Sequence, residues 1–143
     1  MPPLTKEHVL SIFAHLAAGE ASSFFDHVAE DVDWLVTGSA HPLAKRYHSK
    51  EQFIRESWRG VGSILQKPMK LSVVGVMVEP EEGGMKGRAV VELKGVGGVL
   101  KSGKEYNNEY CWVLGFNDDG MIASVRAYLD TAMLRDALGE NAS

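Results

Sequence analysis

The chain has 143 residues, with 15 Lys and Arg, 19 Asp and Glu, and a formal net charge of -4. This length suits one globular domain, residues 1–143, and the scattered basic residues form no stripe that could neutralise a row of phosphates, which argues against a nucleic-acid partner. The N-terminus does not resemble a secretory signal, and no apolar run approaches the roughly 20 residues that cross a bilayer. We therefore expect a soluble, cytoplasmic protein without a membrane partner.

Helical signals come first along the chain. Thr5 can cap a helix whose apolar residues recur at three- and four-residue spacing until Gly19, and a short second helix follows. A strand in "EDVDWLV" and a loop rich in Gly and Pro come next. Ser49 and Gln52 then fit a capping box for a third helix that we expect to end at Pro68.

The second half of the chain changes to strand periodicity. The stretches "KLSVVGVMV", "GRAVVELKG", "EYNNEYCWVLGF" and "MIASVRAYL" are rich in Val, Tyr and Trp, and "EPEEGG" and "NDDG" are strong hairpin turns. These features predict an α+β domain in which helices cover one face of a curved antiparallel sheet.

Alternation along the last two strands groups the candidate site residues. Successive side chains point to opposite faces, so each strand has one face that combines aromatic and polar groups. These two faces hold Tyr106, Asn108, Tyr110 and Trp112 on one strand, and Arg126, Tyr128 and Asp130 on the next. Together they are typical of a pocket that encloses an apolar molecule and orients it with a few polar groups. The opposite face, with Val125 and Leu129, is predicted to pack against another surface.

Each of these assignments has a simpler alternative. Asp130 could cap a C-terminal helix that begins near Thr131, with Arg126 as its surface ion-pair partner. Tyr110, Trp112 and Tyr128 could be ordinary core aromatics whose polar tips reach a partner. The single Cys111 has no cysteine or HExxH-type pair beside it, so neither a disulfide nor a metal site is predicted.

The order of elements, with "DVDWLVTGSAHPLAKRYHSKEQF" and "NNEYCWVLGFNDDGMIASVRAYLDTAML", resembles the SnoaL-like, ketosteroid-isomerase-related branch of the nuclear-transport-factor-2-like superfamily. The resemblance spans nearly the whole chain and includes an Asn-x-Tyr and a Tyr-x-Asp motif. It implies a cone-shaped barrel with three N-terminal helices, a deep pocket, and a homodimer formed through the outer face of the sheet. The apolar face with Val125 and Leu129 would suit that contact.

The resemblance also implies enzymes that use no cofactor and place carboxylates in an apolar cavity, where desolvation raises their pKa towards neutrality. Asp130 resembles the aspartate of the cyclases and epoxide hydrolases, and Glu92 is a second candidate unless it is an exposed strand residue. Val36 or Thr37 stands where the isomerases carry their general base, so the base would be Asp130 or His41. His41 is a candidate proton donor or shuttle, and its alternative is an exposed loop histidine.

The expected function is a cofactor-independent isomerase, cyclase or dehydratase of secondary metabolism that acts on an apolar molecule bearing a carbonyl or enol. Asp130, His41 and Tyr110 would be catalytic, with Asn108 and Tyr110 donating hydrogen bonds to an oxyanion. Arg126 would hold Asp130 ionised or bind a substrate carboxylate. The remaining substrate-binding candidates are Tyr128, Trp112, Trp34, Glu92, Tyr47 and Trp58, of which Trp34, Tyr47 and Trp58 are explained as well by core packing. A non-catalytic binding protein or a dimerising scaffold with the same cavity is the alternative.

Overall fold

The computed structural model describes residues 3–141. The helices are α1 (Lys6–Ala17), α2 (Ala21–Phe25), α3 (Lys50–Phe53), α4 (Arg59–Gly62) and α5 (Thr131–Asn141), and a π-helical turn (Ile54–Trp58) joins α3 to α4. The strands are β1 (Val28–Val36), β2 (Lys45–Tyr47), β3 (Leu65–Lys67), β4 (Lys70–Pro80), β5 (Gly87–Val96), β6 (Val99–Leu100), β7 (Glu109–Phe116) and β8 (Ile122–Leu129).

The first helix forms as its sequence predicts. The Thr5 side chain accepts a hydrogen bond from the backbone N–H of His8 at 3.1 Å, which satisfies one of the free donors of the first turn. Gly19 ends the helix at a φ of 79°, a left-handed conformation that favours glycine. The helix packs on β4 and buries the apolar stripe Val9, Ile12, Phe13 and Leu16.

The third helix differs from its prediction. Ser49 caps α3 by accepting from the Gln52 backbone N–H at 3.0 Å, as expected. The helix then widens into the π-helical turn and ends at Gly62, so the expected continuation to Pro68 is wrong. The residues after Gly62 form strand β3 instead, which pairs antiparallel with β6. Apolar spacing alone does not distinguish a helix end from a short buried strand.

The main sheet has six strands in the order β2, β1, β8, β7, β5, β4. The four strands predicted for the second half of the chain are present and antiparallel, and the hairpin turns fall where expected. The fully antiparallel sheet is wrong at one place, because β1 runs parallel to β8. A parallel pair requires a long connection, which residues 37–121 provide, and the local pattern of β1 does not indicate its direction.

The sheet curves around the helices. Its register shifts between Val73 and Gly75 in β4 and between Gly115 and Phe116 in β7, and such bulges bend a strand. The concave face and helices α1 to α3 share one apolar core that includes Phe13, Phe24, Trp34, Phe53 and Trp112. A second apolar cluster, with Ile64, Leu100, Tyr106, Leu134 and Ala137, attaches α5 across one end of the sheet. The fold is therefore the α+β arrangement of a curved sheet covered by helices.

No helix within residues 3–141 has the length and apolar character that a membrane span requires.

Candidate functional site

A cavity of about 340 Å³ lies between the concave face of the sheet and the helices. This size falls in the usual range of small-molecule sites. Side chains from strands β1, β7 and β8, from α5 and from the helical segment between residues 50 and 62 contribute to its lining. The aliphatic part of that lining includes Leu16, Val36, Leu43, Val61, Leu71, Ala127, Leu129 and Leu134.

One wall of the cavity is aromatic. Trp34 stacks on Phe53 with ring centroids 3.8 Å apart, and it meets Trp112 edge-on at 5.2 Å. Trp58 of the π-helical turn also lines the cavity, so all three tryptophans of the chain do so. Rings held in stacked and edge-on contacts provide a large apolar surface at low conformational cost. This wall suits the flat face of an aromatic or polycyclic molecule.

The π-helical turn places two consecutive side chains, Ser57 and Trp58, in the lining of the cavity. Neighbouring side chains of an ordinary helix point in different directions, and single-turn π-helices occur frequently at functional sites. Ser57 is buried, and it adds a hydroxyl to a lining that is mostly apolar.

A hydrogen-bonded group of Asn108, Tyr106 and Tyr110 forms the polar part of the site. Asn108 is 1% exposed, and its Nδ2 donates to the Tyr106 hydroxyl and to the backbone carbonyl of Asp130, at 3.1 Å each. Its Oδ1 accepts from the backbone N–H of Glu109 at 2.7 Å. With its hydroxyl oxygen accepting from Asn108, Tyr106 keeps its own proton for a ligand.

Both tyrosines line the cavity and remain hydrogen-bond donors there. Burial is the main cause that raises the pKa of Tyr106, while the hydrogen bonds with Asn108 and Tyr110 act in the opposite direction. Burial raises the pKa of Tyr110 well above its ordinary value, and the adjacent Tyr106 raises it further. Because desolvation disfavours the phenolate, both hydroxyls keep their protons at neutral pH and act as hydrogen-bond donors, not as bases.

The cavity opens between the end of α1, the end of α4 and the start of β4. The exposed residues of its lining mark this opening, which we call the mouth, and they are Ala18, Gly19, Gly62, Pro68 and Lys70. Lys70 is the one residue with a formal charge at neutral pH among the lining residues described here. No carboxylate or imidazole belongs to that lining in residues 3–141.

Neither a family model nor a curated protein matches this chain. Solved structures match it along most of its length. TerC, co-crystallised with polyporic acid, is 17% identical with a TM-score of 0.70, and the match covers 93% of this chain and 96% of TerC. An NTF2-like protein of unknown function from Burkholderia pseudomallei is 19% identical, with a TM-score of 0.70 and coverage of 92% and 95%. AclR from Streptomyces galilaeus is 17% identical, with a TM-score of 0.64 and coverage of 94% and 95%.

The chain has the nuclear-transport-factor-2-like fold. The fold predicted from the sequence is thus confirmed by structures that are less than 20% identical to this chain. Within this nuclear-transport-factor-2-like fold, the cavity occupies the space between the helices and the curved sheet. Four of the predicted site residues, Tyr110, Trp112, Trp34 and Trp58, line it.

Asp130 does not face the cavity. It is exposed at the start of α5, where its Oδ1 accepts from the Met133 backbone N–H at 3.1 Å. The alternative, that Asp130 caps the C-terminal helix, is confirmed, and the predicted pocket orientation is wrong.

The face of β8 was assigned incorrectly as a whole. Trp112 is paired with Ala127, and Cys111 with Tyr128, so the small and apolar residues of β8 share the inner face with Trp112. Arg126 and Tyr128 are exposed on the outer face, where the Arg126 Nη2 donates to the Tyr128 hydroxyl at 2.8 Å. The predicted pairing of Arg126 with Asp130 is replaced by this contact.

The same reversal affects the predicted dimer surface. Val125 is buried in the core and Leu129 lines the cavity, so the suggestion that they form a subunit contact is wrong. Glu92 is exposed on the outer face, opposite Cys111, and is not a pocket carboxylate. The homodimer stays a prediction, and the exposed apolar residues that the outer face offers are Val74, Met77, Val96 and Tyr128.

His41 and Tyr47 are buried, and neither lines the cavity. The His41 Nε2 lies 3.0 Å from the Thr37 carbonyl oxygen and donates to it, and His41 is 6% exposed. His41 lines neither the cavity nor its mouth, which does not support its predicted role as proton donor or shuttle, and it is not the exposed loop histidine of the alternative. The Tyr47 hydroxyl donates to the Leu43 carbonyl at 2.9 Å, and its ring packs on Phe53. Asn108 does not line the cavity, and it contributes to the site through its hydrogen bond to Tyr106, which does line it.

Three residues of the site were not among the predicted candidates. Tyr106 was placed on the correct face but given no role, and Ser57, which shares a face of the predicted third helix with Phe53 and Val61, was not singled out. A hydroxyl among the apolar residues of that helix face was the sequence feature that could have indicated Ser57. Lys70 had no signal in the sequence, because its proximity to the mouth depends on how α1 packs on β4. No group of three or more His, Cys, Asp or Glu residues able to hold a metal occurs in residues 3–141.

Proposed function

We propose that this chain binds a small aromatic or polycyclic molecule in the cavity and donates hydrogen bonds from Tyr106 and Tyr110 to an acceptor oxygen of that molecule. The observation that carries the proposal is the composition of the cavity lining. Aromatic and aliphatic side chains surround a buried pair of phenolic hydroxyls, and the described lining has no carboxylate or imidazole. Such a site retains an apolar molecule and orients it without supplying a base.

The neighbouring structures are compatible with this proposal. TerC has this fold and was co-crystallised with polyporic acid, so the fold accommodates a small organic compound in that protein. The cavity of this chain has the size that such a role requires. The likeness itself carries the fold alone, and the ligand class proposed here depends on the lining residues.

A fluorescent probe tests the proposal directly. N-phenylnaphthylamine is uncharged and aromatic, and all three tryptophans line the cavity, so its binding should quench their emission by energy transfer. A side chain at Gly62 should obstruct the mouth, because a Cβ placed there meets no atom within 4 Å and the substitution should not disturb the fold. We expect Gly62→Phe to weaken probe affinity about tenfold, which is ~1.4 kcal/mol.

The matched control is Gly139→Phe, at an exposed helical glycine of α5 that also has open space around its Cβ and does not line the cavity. It should leave the affinity unchanged. Equal affinity in the wild type and in both variants would place the probe outside the cavity and contradict the proposal.

Hydrogen-bond catalysis is the second candidate function, and the Tyr106 and Tyr110 pair favours it. Two donors aimed at one carbonyl oxygen would stabilise an enolate or oxyanion, at roughly 2 to 4 kcal/mol for a well-placed donor. The narrower expectation of an isomerase, cyclase or dehydratase would then apply to substrates that need an electrophile more than a base. A co-purifying molecule recovered chemically unchanged would favour binding, and its conversion during incubation with the protein would favour catalysis.

The tyrosine donors can be tested without a known substrate. Prodan is a naphthyl ketone, and N-phenylnaphthylamine lacks a carbonyl. We expect Tyr110→Phe to weaken Prodan binding about two- to tenfold, the range of a single net hydrogen bond of ~0.5 to 1.5 kcal/mol, and to leave N-phenylnaphthylamine unaffected. An equal loss for both probes would show that the hydroxyl of Tyr110 supports the structure of the cavity and does not donate to the ketone, which would contradict the proposed role.

A further inference from the structure

Lys70 stands apart from the other residues of the cavity. It is the first residue of β4, it lies at the mouth, and it is the one formally charged residue among the described residues of the lining. The chain as a whole has a net charge of -4, so a cation at this opening is not explained by a generally basic surface. A positive charge beside an apolar opening favours ligands with a negative end.

The position of Lys70 is fixed by the end of α1. Its aliphatic stem lies across Gly19, where a Cβ would come within 3.3 Å of the Lys70 Cε and 3.8 Å of its Cγ. Packing the stem on a neighbouring surface while the ammonium stays in water is the usual behaviour of a lysine at an apolar edge. The charge is therefore held next to the opening.

The Lys70 ammonium has no carboxylate within 4.0 Å in the part of the chain that the structure describes, whereas Lys45, Lys50, Lys94 and Lys104 each have one. The nearest acidic residue in sequence to Gly19 is Glu20, whose Oε1 lies 3.7 Å from the His15 Nδ1. The carbonyls of Ala14 and Leu16 in the last turn of α1 are also occupied, since the backbone N–H groups of Ala18 and Gly19 donate to them. Lys70 thus retains its capacity to bind an anion.

We propose that the ligand is an amphipathic organic acid, with its aromatic body in the cavity and a carboxylate or sulfonate-like group at Lys70. This inference rests on the proposed function, because it assigns the outer end of the same ligand. Lys70 pairs with Val96 of the outer face, and because β4 is an edge strand its stem reaches Gly19 and the mouth around that edge. Tyr110 lies in the row of Leu93 and Val73, three residues further along the sheet. That offset is roughly 10 Å along the strands, and because β4 and β7 are two strands apart it is roughly another 10 Å across the sheet. A two-ring compound spans this separation together with the lengths of the Lys70 and Tyr110 side chains.

Two matched probes separate this inference from the proposed function. Anilinonaphthalenesulfonate carries a sulfonate on the kind of aromatic body that N-phenylnaphthylamine presents without charge. We expect Lys70→Met to weaken binding of the sulfonate about two- to fivefold, as is typical of a solvent-exposed ion pair, while the affinity for the neutral probe stays unchanged. Added salt should weaken sulfonate binding to the wild type more than to the variant.

Two further variants complete the test. Lys70→Arg keeps the charge and should keep the sulfonate affinity. Lys67→Met removes an exposed lysine of β3 that does not line the cavity, and it should leave both affinities unchanged.

The outcomes are distinct. If the neutral probe binds and Lys70→Met leaves the sulfonate affinity unchanged, or weakens both probes equally, this inference is overturned and the proposed function stands. If Lys67→Met matches the effect of Lys70→Met, the charge acts at long range and the assigned contact is wrong. If neither probe binds to the wild type, the proposed function fails and the inference fails with it.

Discussion

Tyr110 of β7 and Tyr128 of β8 lie on neighbouring strands and occupy opposite environments. Tyr110 faces the cavity beside Tyr106, and burial raises its pKa well above the ordinary value. Tyr128 is 39% exposed, accepts a hydrogen bond from Arg126, and has the Arg126 guanidinium carbon 5.9 Å from its ring centroid. A tyrosine side chain is thus a buried hydrogen-bond donor on β7 and part of a polar surface on β8.

The register between the strands explains the difference. Tyr110 pairs with Leu129 and Cys111 pairs with Tyr128, so the two tyrosines are out of phase by one residue and point to opposite faces. A shift of one residue in register reverses the face of every side chain on a strand. Residue type therefore does not decide which tyrosine serves the cavity, and variants on the two strands should differ sharply in their effects.

The largest expected difference is in stability. Trp112 on the inner face is 4% exposed and packs against the rings of Phe13, Trp34 and Tyr110, so Trp112→Ala should lower the free energy of unfolding by about 3 to 5 kcal/mol. Tyr128→Ala on the outer face should cost less than about 1 kcal/mol. Urea denaturation of both variants measures this difference. Similar losses would show that the outer face is as tightly packed as the cavity wall.

A smaller effect is expected at the end of β8, where Asp130 caps α5. Asp130→Ala removes the acceptor of the Met133 backbone N–H and should cost about 1 kcal/mol of stability. Asp130→Asn should be nearly neutral, because asparagine is an equally good helix cap. Neither variant should change the affinity for N-phenylnaphthylamine. A loss of probe binding in Asp130→Asn, with stability intact, would show that this carboxylate takes part in binding.

The features that were predicted correctly depend on residues close together in the sequence. Thr5 and Ser49 cap their helices through N–H groups three residues ahead, and Asp130 does the same as its alternative assignment proposed. The hairpins of β4 with β5 and of β7 with β8 follow from turn residues within a few positions. In each case one short segment contains both partners of the interaction.

The features that were missed depend on contacts between distant segments. Alternation shows which residues of β8 share a face, but the pairing of Ala127 with Trp112 decides which face is buried. The parallel pairing of β1 with β8 and the placement of Lys70 beside Gly19 likewise join residues far apart in the chain. A polar and aromatic stripe is as compatible with a surface as with a pocket, so composition alone assigned β7 correctly and β8 incorrectly.

The smallest expected effect concerns pH, and it distinguishes the cavity from the surface around it. The described lining has no carboxylate or imidazole, so binding of the neutral N-phenylnaphthylamine should not change between about pH 5 and 8. His27 lies outside the cavity at the start of β1. Burial lowers its pKa below 6.5, as do the neighbouring His15 and His8, while Asp26 acts in the opposite direction.

The unfolded chain therefore takes up the His27 proton near pH 6.5, before the folded chain does, and the free energy of unfolding should decrease as the pH falls below that value. His27→Gln should reduce this decrease, as measured by denaturation at about pH 7 and pH 5. An equally steep decrease in the variant would assign the acid sensitivity to other groups. The affinity for the neutral probe could instead fall over a pH range in which the protein stays folded. That result would place a titrating group in the cavity itself, and the contrast between the inner and outer faces would no longer hold.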